Sequence, residues 1–219
     1  FNSSAPLPAT LESLAEQTYT NLEHLVIDGG SSDNTMKLVK SDAFANRVAL
    51  TEPDDGLFDA LNKGIANATG DVVGILHSDD VLGAPDVLES IAREFRDPAV
   101  LAVYGNLVYE TREPPHKTIR YWHSGEFALP KLRQGWMPPH PTLYLRRSVY
   151  ERFGGFDCSY RIAADYDFIL RTLPRIADGG RNLDKLFVKM KGGGTSNRSI
   201  RNIIAKSSED LRALRSNEI

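Results

Sequence analysis

Apolar residues in the first half of the chain follow two alternating patterns. Four segments carry them every three or four residues, which is the period of an α-helix; they begin near Leu7, Met36, Leu57 and Val87. Four short apolar runs alternate with these segments and are typical of buried strands: Leu22 to Ile27, Val48 to Leu50, Val72 to Leu76 and Leu101 to Tyr109. The alternation of strand and helix predicts parallel crossover connections, and hence an α/β fold with a mostly parallel sheet flanked by helices.

The second half of the chain is less regular. Segments 111–123 and 131–141 mix prolines, aromatic residues and basic residues, and long loops of this kind in a compact domain are usually functional. A glycine-rich break is predicted at 192–194. Four further elements are predicted: a strand at Thr142 to Leu145, a helix at Ser148 to Phe153 that ends at Gly154-Gly155, a helix at Asp165 to Leu173, and a terminal helix at Ile200 to Ser216.

No strand is predicted ahead of the first helix. The chain opens with Phe1-Asn2-Ser3-Ser4 and proceeds directly to the helical pattern at Leu7, whereas a doubly wound domain normally opens with a strand. We therefore expect the first strand of the sheet to be missing from this chain.

Composition and charge narrow the class of protein. A chain of 219 residues with 41% apolar and 25% charged residues is typical of one globular domain. The net charge of -3 gives no electrostatic case for nucleic acid as a partner, and no apolar run reaches the roughly 18 residues of a membrane-spanning helix. Segment 1–18 lacks the charged and apolar regions of a signal peptide. The lone Cys158 excludes intrachain disulfides and fits a reducing compartment, so a cytoplasmic location is expected.

Two carboxylates follow the strongest apolar run, at Asp79 and Asp80. Sheets of this kind bind ligands at the carboxyl ends of their strands, and Mg²⁺ or Mn²⁺ prefers carboxylate and phosphate oxygens. If strand geometry continues, His77 and Asp79 face one side and Asp80 the other. One carboxylate is then expected on the metal and the other on sugar hydroxyls. The alternative is an acidic turn and helix cap before Pro85, and spacing alone does not separate the two.

Three more candidates for substrate binding lie in the first half. Asp28 ends a strand and precedes Gly29-Gly30, where the backbone can approach a ligand closely. Its carboxylate can accept hydrogen bonds from a uracil ring or a ribose, and an ordinary turn residue is the alternative. Asp54 precedes the helix near Leu57, and Lys63 on that helix could supply a positive charge to a diphosphate. For Lys63 alone, a solvated helix face is the favoured interpretation.

Two residues of the second half could move protons or bind ligands. Asp165 opens a predicted helix beside apolar neighbours, and a carboxylate within reach of an acceptor hydroxyl can act as a general base. It could equally cap its own helix. His140 stands between Pro139 and Pro141 and could ligate a metal or meet a phosphate, although such a histidine is more often structural.

Six short motifs occur in order along the chain. They are Ile27-Asp28-Gly29-Gly30-Ser31-Ser32-Asp33-Asn34-Thr35, Glu52-Pro53-Asp54-Asp55-Gly56-Leu57-Phe58-Asp59-Ala60-Leu61-Asn62-Lys63-Gly64-Ile65, His77-Ser78-Asp79-Asp80, His140-Pro141-Thr142, Gly154-Gly155-Phe156-Asp157 and Ala164-Asp165-Tyr166-Asp167. Together they resemble the family 2 glycosyltransferases of GT-A fold, in particular the bacterial branch that builds cell-surface polysaccharides. The likeness covers residues 1 to about 197. It implies a Rossmann-like GT-A domain at 1–197, with a nucleotide-binding half at about 1–110, an acceptor-side half at about 111–197 and a C-terminal helix at 198–219.

The resemblance also implies a reaction and the residues that perform it. The reaction is an inverting, single-displacement transfer from a nucleotide-sugar, usually a UDP-sugar, assisted by Mg²⁺ or Mn²⁺. By position, Asp28 corresponds to the family's nucleoside-binding aspartate and Asp165 to its general base. His77-Ser78-Asp79 falls on the Asp-x-Asp motif, which makes Asp79 the metal ligand and Asp80 its neighbour in the site.

The chain departs from the family pattern at four positions. His77 stands where many members have aspartate, and it could still hydrogen-bond a ribose hydroxyl. Gly29 and Ala164 replace a frequent aspartate and the usual glutamate. Leu61 occupies a position where relatives often carry an arginine near the phosphates, so that contact either passes to Lys63 or is missing.

The expected acceptor is a growing glycan or a polyprenyl-diphosphate-linked glycan. Segment Lys131 to Trp136, with Arg146-Arg147, is expected to hold the chain peripherally at the anionic inner membrane face. Two other functions stay open: sugar-nucleotidyl transfer, and a non-catalytic module that binds nucleotide or carbohydrate. The first needs a glycine-rich, basic loop, which Ser3 to Pro8 does not show.

Overall fold

The structure, a computed structural model, describes residues 1–41, 46–192 and 200–219, with the side chains of the last range described from residue 205. The α-helices are α1 (Leu7–Ala15), α2 (Thr35–Ser41), α3 (Leu57–Asn67), α4 (Val87–Glu94), α5 (Leu129–Arg133), α6 (Arg147–Phe153), α7 (Ala164–Thr172) and α8 (Ile200–Ser216). The strands are β1 (His24–Asp28), β2 (Arg47–Thr51), β3 (Val72–Val73), β4 (Val81–Leu82), β5 (Ala102–Glu110), β6 (Thr118–Trp122), β7 (Tyr144–Arg146) and β8 (Gly180–Lys191). Short 3₁₀ helices occur at His140–Thr142, Leu173–Arg175 and Ala177–Gly179.

The described strands form two sheets. β1 and β2 pair in parallel, from His24 beside Arg47 to Asp28 beside Thr51. The other strands form a second sheet in the order β3-β7-β5-β8-β4, with β6 paired along β5. In this second sheet β5 and β8 run parallel, whereas the pairs β3·β7, β4·β8, β5·β6 and β5·β7 are antiparallel.

The α/β class with helices packed on a sheet is therefore confirmed, but the expectation of a mostly parallel sheet is wrong. The second half of the chain supplies β6 and β7, which enter the sheet antiparallel to β5. An apolar run identifies a buried strand but does not encode its direction, and that direction is decided by partners far away in the sequence.

Most predicted helices are confirmed, and the differences lie among the strands. The helices that begin near Leu7, Leu57 and Val87 form α1, α3 and α4, and α6 ends at Gly154 with a φ of 78°. β6 and α5 occupy segments predicted as loops. β8 was not predicted, because charged residues interrupt its apolar pattern and the consecutive Phe187 and Val188 are both buried.

The strand predicted at Val72 to Leu76 is shorter than expected. Only Val72 and Val73 pair with β7. At Gly74 a Cβ atom would lie 2.1 Å from the ring of Tyr144, so glycine allows the backbone to pass close to this buried tyrosine. The chain then turns toward residues 77–80 instead of continuing the ladder.

Two large apolar clusters anchor the helices on the sheet. One contains Leu145 of β7 and Phe168 and Leu170 of α7, and the other contains Val87 of α4 and Phe187 of β8. The fully buried residues of α7 fix the start of that helix, where Asp165 lies. Gly193 and Gly194 of the predicted glycine break, and the side chains of Ile203 and Ile204, lie outside the described part of the chain.

Candidate active site

The acidic segment after β3 is a turn. The N–H of Asp80 donates to the carbonyl of His77 at 3.0 Å, so the strand geometry assumed for residues 77–80 is wrong. The two carboxylates differ in exposure. The side chain of Asp79 is 31% exposed, whereas Asp80 is fully buried.

The buried carboxylate of Asp80 has unsatisfied hydrogen-bonding capacity. Among the described residues, neither of its oxygens has a hydrogen-bond partner. Burial, helped by the neighbouring charge of Asp79, raises the pKa of Asp80 to about 8. An unpaired buried charge is costly, and buried carboxylates are normally paired or coordinated to metal.

This donor set fits a divalent cation that is shared with a ligand. Asp79 and Asp80 offer hard carboxylate oxygens, which Mg²⁺ and Mn²⁺ prefer. Within the described ranges, no group of three or more His, Cys, Asp or Glu side chains could hold a metal ion without further ligands. A cation here would therefore complete its coordination with water or substrate oxygens, as magnesium usually does on substrate phosphates.

Two histidines connect this turn to Asp165. His140 Nδ1 lies 3.1 Å from Asp165 Oδ2, and His140 Nε2 lies 3.0 Å from His77 Nε2. Burial and the charge of the nearby His140 lower the pKa of His77 to about 3, so His77 is neutral near pH 7 and its Nε2 can accept the Nε2–H of a charged His140. Three residues predicted separately from remote segments thus form one hydrogen-bonded chain.

Asp165 is partly buried, with its side chain 19% exposed, but holds its charge. Burial alone would raise the pKa of its carboxyl, but the hydrogen bond and charge of His140, the N–H of Tyr166 and the charge of Lys206 together lower it. The Tyr166 N–H donates to Asp165 Oδ1 at 2.8 Å. An ionised carboxylate in such surroundings is suited to accept a proton.

The start of α7 is capped by a residue other than Asp165. Glu209 of α8 accepts hydrogen bonds from the N–H groups of Arg161, Ile162 and Ala163 at 3.1, 2.8 and 2.9 Å. Asp165 is not the N-cap residue of α7, which is Ala163, but its carboxylate accepts the N–H of Tyr166 in the first turn of its own helix. Glu209 was not predicted, because a glutamate on an amphipathic terminal helix resembles an ordinary surface charge.

Asp28 and Asp54 meet beside Gly29. Asp28 is 2% exposed, and its carboxylate accepts hydrogen bonds from the backbone N–H of Ser31, at 2.9 Å, and from the Ser31 hydroxyl. A Cβ atom on Gly29 would lie 2.2 Å from Asp54 Oδ2. Glycine at position 29 therefore makes room for Asp54, and Asp28 is at least a turn-forming residue.

Lys63 does not offer a free charge to a phosphate. Its ammonium lies 2.8 Å from the Pro53 carbonyl, 3.2 Å from Glu52 and 3.0 Å from Asp59. These three contacts use the three hydrogens of the ammonium group. The role of Lys63 as a diphosphate contact stays a prediction, and the spacing of four residues from Asp59 was the available signal for this ion pair.

Two of the residues proposed to contact lipid, Arg146 and Arg147, bind groups inside the protein. The guanidinium of Arg146 donates to the carbonyls of Val100, Phe95 and Asp97. Arg147 donates to the Gly70 carbonyl at 3.2 Å and pairs with Glu151. Across the described ranges, none of the helices has both the length and the apolar character needed to cross a membrane.

The N-terminal segment joins the loops of the site. Ser3 Oγ is 2.8 Å from Ser78 Oγ, and the N–H of Ser3 donates to Thr35 at 2.8 Å. The Asn2 side chain accepts a hydrogen bond from the N–H of Ser32 at 3.0 Å. Residues 2–4 thus connect the turn after β1 with the turn at 77–80.

Solved structures identify this arrangement as a GT-A glycosyltransferase fold. S. aureus TarS 1-349 in complex with UDP superposes with a TM-score of 0.70 at 18% identity, over 99% of this chain and 62% of that one. Mannosyltransferase PcManGT from Pyrobaculum calidifontis, in complex with GDP-Man and Mn²⁺, gives 0.65 at 21% identity, over 97% of this chain and 62% of that one. The likeness at these identities establishes the fold.

The chain belongs to glycosyl transferase family 2, whose model matches residues 1–163. An uncharacterized glycosyltransferase of Mycobacterium tuberculosis is 30% identical over 180 residues, 78% of this chain and 65% of that protein. A PGL/p-HBAD biosynthesis glycosyltransferase of Mycobacterium bovis is 31% identical over 176 residues, 78% of this chain and 66% of that protein. The chain thus spans about two thirds of the length of these relatives.

Proposed function

We propose that the protein transfers a sugar from a nucleotide-diphosphate donor, a UDP-sugar, to an acceptor hydroxyl with inversion at the anomeric carbon. The observation that carries the proposal is the chain from Asp165 through His140 to His77, because it brings a charged base against the acidic turn that precedes β4. Membership of glycosyl transferase family 2 and the UDP-bound structure of TarS support the reaction class and the nucleotide.

In this proposal Asp165 is the general base. Its carboxylate takes the proton of the acceptor hydroxyl while that oxygen forms a bond to the anomeric carbon of the sugar. The bond between the anomeric carbon and the phosphate oxygen breaks, and the nucleoside diphosphate leaves with the electron pair. His140 holds Asp165 in place and favours its ionised form.

The acidic turn would hold the donor. Asp79 is the proposed ligand of Mg²⁺ or Mn²⁺, which when bound supplies Lewis-acid stabilisation of the diphosphate. Asp80 and His140 are proposed to face the sugar and its phosphates, and neutral His77 to bond a ribose hydroxyl. Asp28, with Asp54 beside it, is proposed to contact the nucleoside through the acceptor capacity that Ser31 leaves free.

The acceptor is proposed from the resemblance and the relatives. A growing glycan, free or on a polyprenyl-diphosphate lipid, is the expected class, and the mycobacterial relative is named for PGL/p-HBAD biosynthesis. Arg146 and Arg147 are bound within the protein, so contact with a membrane would have to involve other residues.

The test measures the release of UDP from a panel of UDP-sugars, with acceptor extract and with Mn²⁺ or EDTA. We expect release to require the metal, and Asp165→Asn to lower it by about 10²- to 10⁴-fold with UDP binding retained. Asp79→Asn should remove the metal-dependent part, and Asp97→Asn, remote from the site, should match wild type. Retained turnover in Asp165→Asn would remove Asp165 as the base.

The same assay separates the alternative functions. Release of pyrophosphate from UTP and a sugar phosphate would assign sugar-nucleotidyl transfer. Metal-dependent UDP binding without transfer to any acceptor would assign a binding module.

A further inference from the structure

Arg112 places a guanidinium on the proposed metal ligand. Its Nη2 lies 3.4 Å from Asp79 Oδ2, with the two side chains 49% and 31% exposed. Its Nε donates to the carbonyl of Gly192 at 3.0 Å. Arg112 lies in the loop between β5 and β6 and was not among the predicted site residues.

The loop that carries Arg112 is well supported. The N–H of Thr111 donates to the carbonyl of Lys117, and the N–H of Lys117 donates to the hydroxyl of Thr111, both at 2.9 Å. At the end of β5, Glu110 pairs with Lys191 of β8 at 3.0 Å. These hydrogen bonds and this ion pair therefore hold the loop that places Arg112 beside the acidic turn.

Lys63 was predicted to supply a positive charge to the donor's diphosphate. Its ammonium is bound by Glu52, Asp59 and the Pro53 carbonyl. Arg112 contacts the acidic turn directly. A guanidinium can bind two phosphate oxygens at once, which a lysine ammonium cannot do with the same geometry.

The pair with Asp79 is suited to exchange. It is a single contact between half-exposed side chains, and such ion pairs are weak. A divalent cation on Asp79 would compete for the oxygen that Arg112 contacts, and a diphosphate would offer Arg112 more charge than the carboxylate it leaves. The same guanidinium can therefore contact Asp79 in the free protein and bind the phosphates in the complex.

We propose that Arg112 binds the diphosphate of the nucleotide-sugar donor, and that it moves there from Asp79 when a divalent cation takes its place on that carboxylate. This inference rests on the proposed function, because it names the residue that recognises the diphosphate of the same donor.

The first experiment compares UDP with uridine by calorimetry in the presence of Mn²⁺. Arg112→Gln should weaken UDP binding about 10- to 100-fold, the range for hydrogen bonds to charged groups, and leave uridine binding unchanged. Arg112→Lys should fall between Arg112→Gln and wild type. Lys117→Gln, which removes a charge from the same loop without contact to Asp79, should match wild type.

The second experiment tests the exchange on Asp79. For Mn²⁺ alone, Arg112→Gln should bind severalfold tighter than wild type, because its competitor for Asp79 is gone. Without metal, Asp79→Asn should tighten UDP binding because Arg112 is released. In an Arg112→Gln background the same substitution should have no such effect. Equal tightening in both backgrounds would indicate simple charge repulsion and overturn the exchange.

The outcomes distinguish the two proposals. Failure of the wild-type protein to bind UDP with Mn²⁺ would overturn the proposed function, and the role of Arg112 with it. Wild-type binding that Arg112→Gln leaves unchanged would overturn the role of Arg112 alone.

Discussion

At the residue scale, the site depends on how His140 adjusts Asp165. A buried carboxyl would ordinarily hold its proton to higher pH, yet the hydrogen bond and charge of His140 and the charge of Lys206 keep the pKa of Asp165 below its usual value. His77 faces His140 on the other side and is neutral near pH 7. The charge of Asp165 therefore depends on its hydrogen-bonded neighbour His140 as well as on Asp165 itself.

Removing His140 should change the pH dependence of transfer. In His140→Ala the effect of burial on Asp165 is no longer opposed by His140, so the pKa of Asp165 rises. Because a general base acts only when it is deprotonated, the acidic limb of the kcat/KM profile should move to higher pH. His140→Asn, which keeps a hydrogen-bond donor without the charge, should lie between the two. An unmoved acidic limb in His140→Ala would contradict this role.

At the element scale, the 3₁₀ helix His140–Thr142 is fixed to the centre of the sheet. The fully buried hydroxyl of Thr142 lies 2.8 Å from the Gly105 carbonyl in β5 and 2.8 Å from the Pro139 carbonyl. The histidine that contacts Asp165 is thus located by a hydrogen bond to a buried strand.

Thr142→Val should therefore loosen the site as well as the fold. The isosteric change removes the hydroxyl donor from the Gly105 carbonyl, and loss of a buried hydrogen-bond partner costs about 1–3 kcal/mol of unfolding free energy. It should also slow transfer, since small displacements of catalytic groups lower rates by about 10²-fold. Denaturant unfolding and UDP release measure the two effects. Thr142→Ser keeps the hydroxyl and should restore both, and a Thr142→Val protein with wild-type values would refute the anchor.

The elements also show what the sequence could and could not predict. α1, α3, α4 and α7 each carry a full helical pattern in their own residues and were predicted. β3 was predicted from its apolar run, although only Val72 and Val73 pair. β4 has two residues and is defined by its partner β8, so no local pattern could identify it. Asp79, His140 and Asp165 stood in recognisable motifs, whereas Arg112 and Glu209 owe their roles to contacts with residues 33 and 46–48 positions away.

At the scale of the whole molecule, α8 holds the segment that leads into α7. Glu209 accepts three backbone N–H groups at the start of that helix, and Ala213 of α8 is fully buried in the core that contains Phe168. The C-terminal helix therefore holds the segment that leads into Asp165.

Glu209→Gln should lower sugar transfer without changing UDP binding. Weakening a helix cap costs about 0.5–2 kcal/mol, so the unfolding free energy should fall by that amount. The rate of sugar transfer should fall by more than this loss of stability accounts for, because Asp165 follows the capped segment. UDP binding should be unchanged. Glu12→Gln, on the exposed face of α1, is the matched control. Weakened UDP binding in Glu209→Gln together with normal transfer would contradict this role of Glu209.

The most direct test of the central claim is a crystal structure of the protein with UDP and Mn²⁺, with the metal located by anomalous scattering. We predict a manganese peak on the Asp79 carboxylate, the diphosphate between that peak and Arg112, and the His140–Asp165 pair facing the space next to the β-phosphate. A manganese peak elsewhere, with Asp79 still paired to Arg112 and the nucleotide remote from Asp165, would contradict the account.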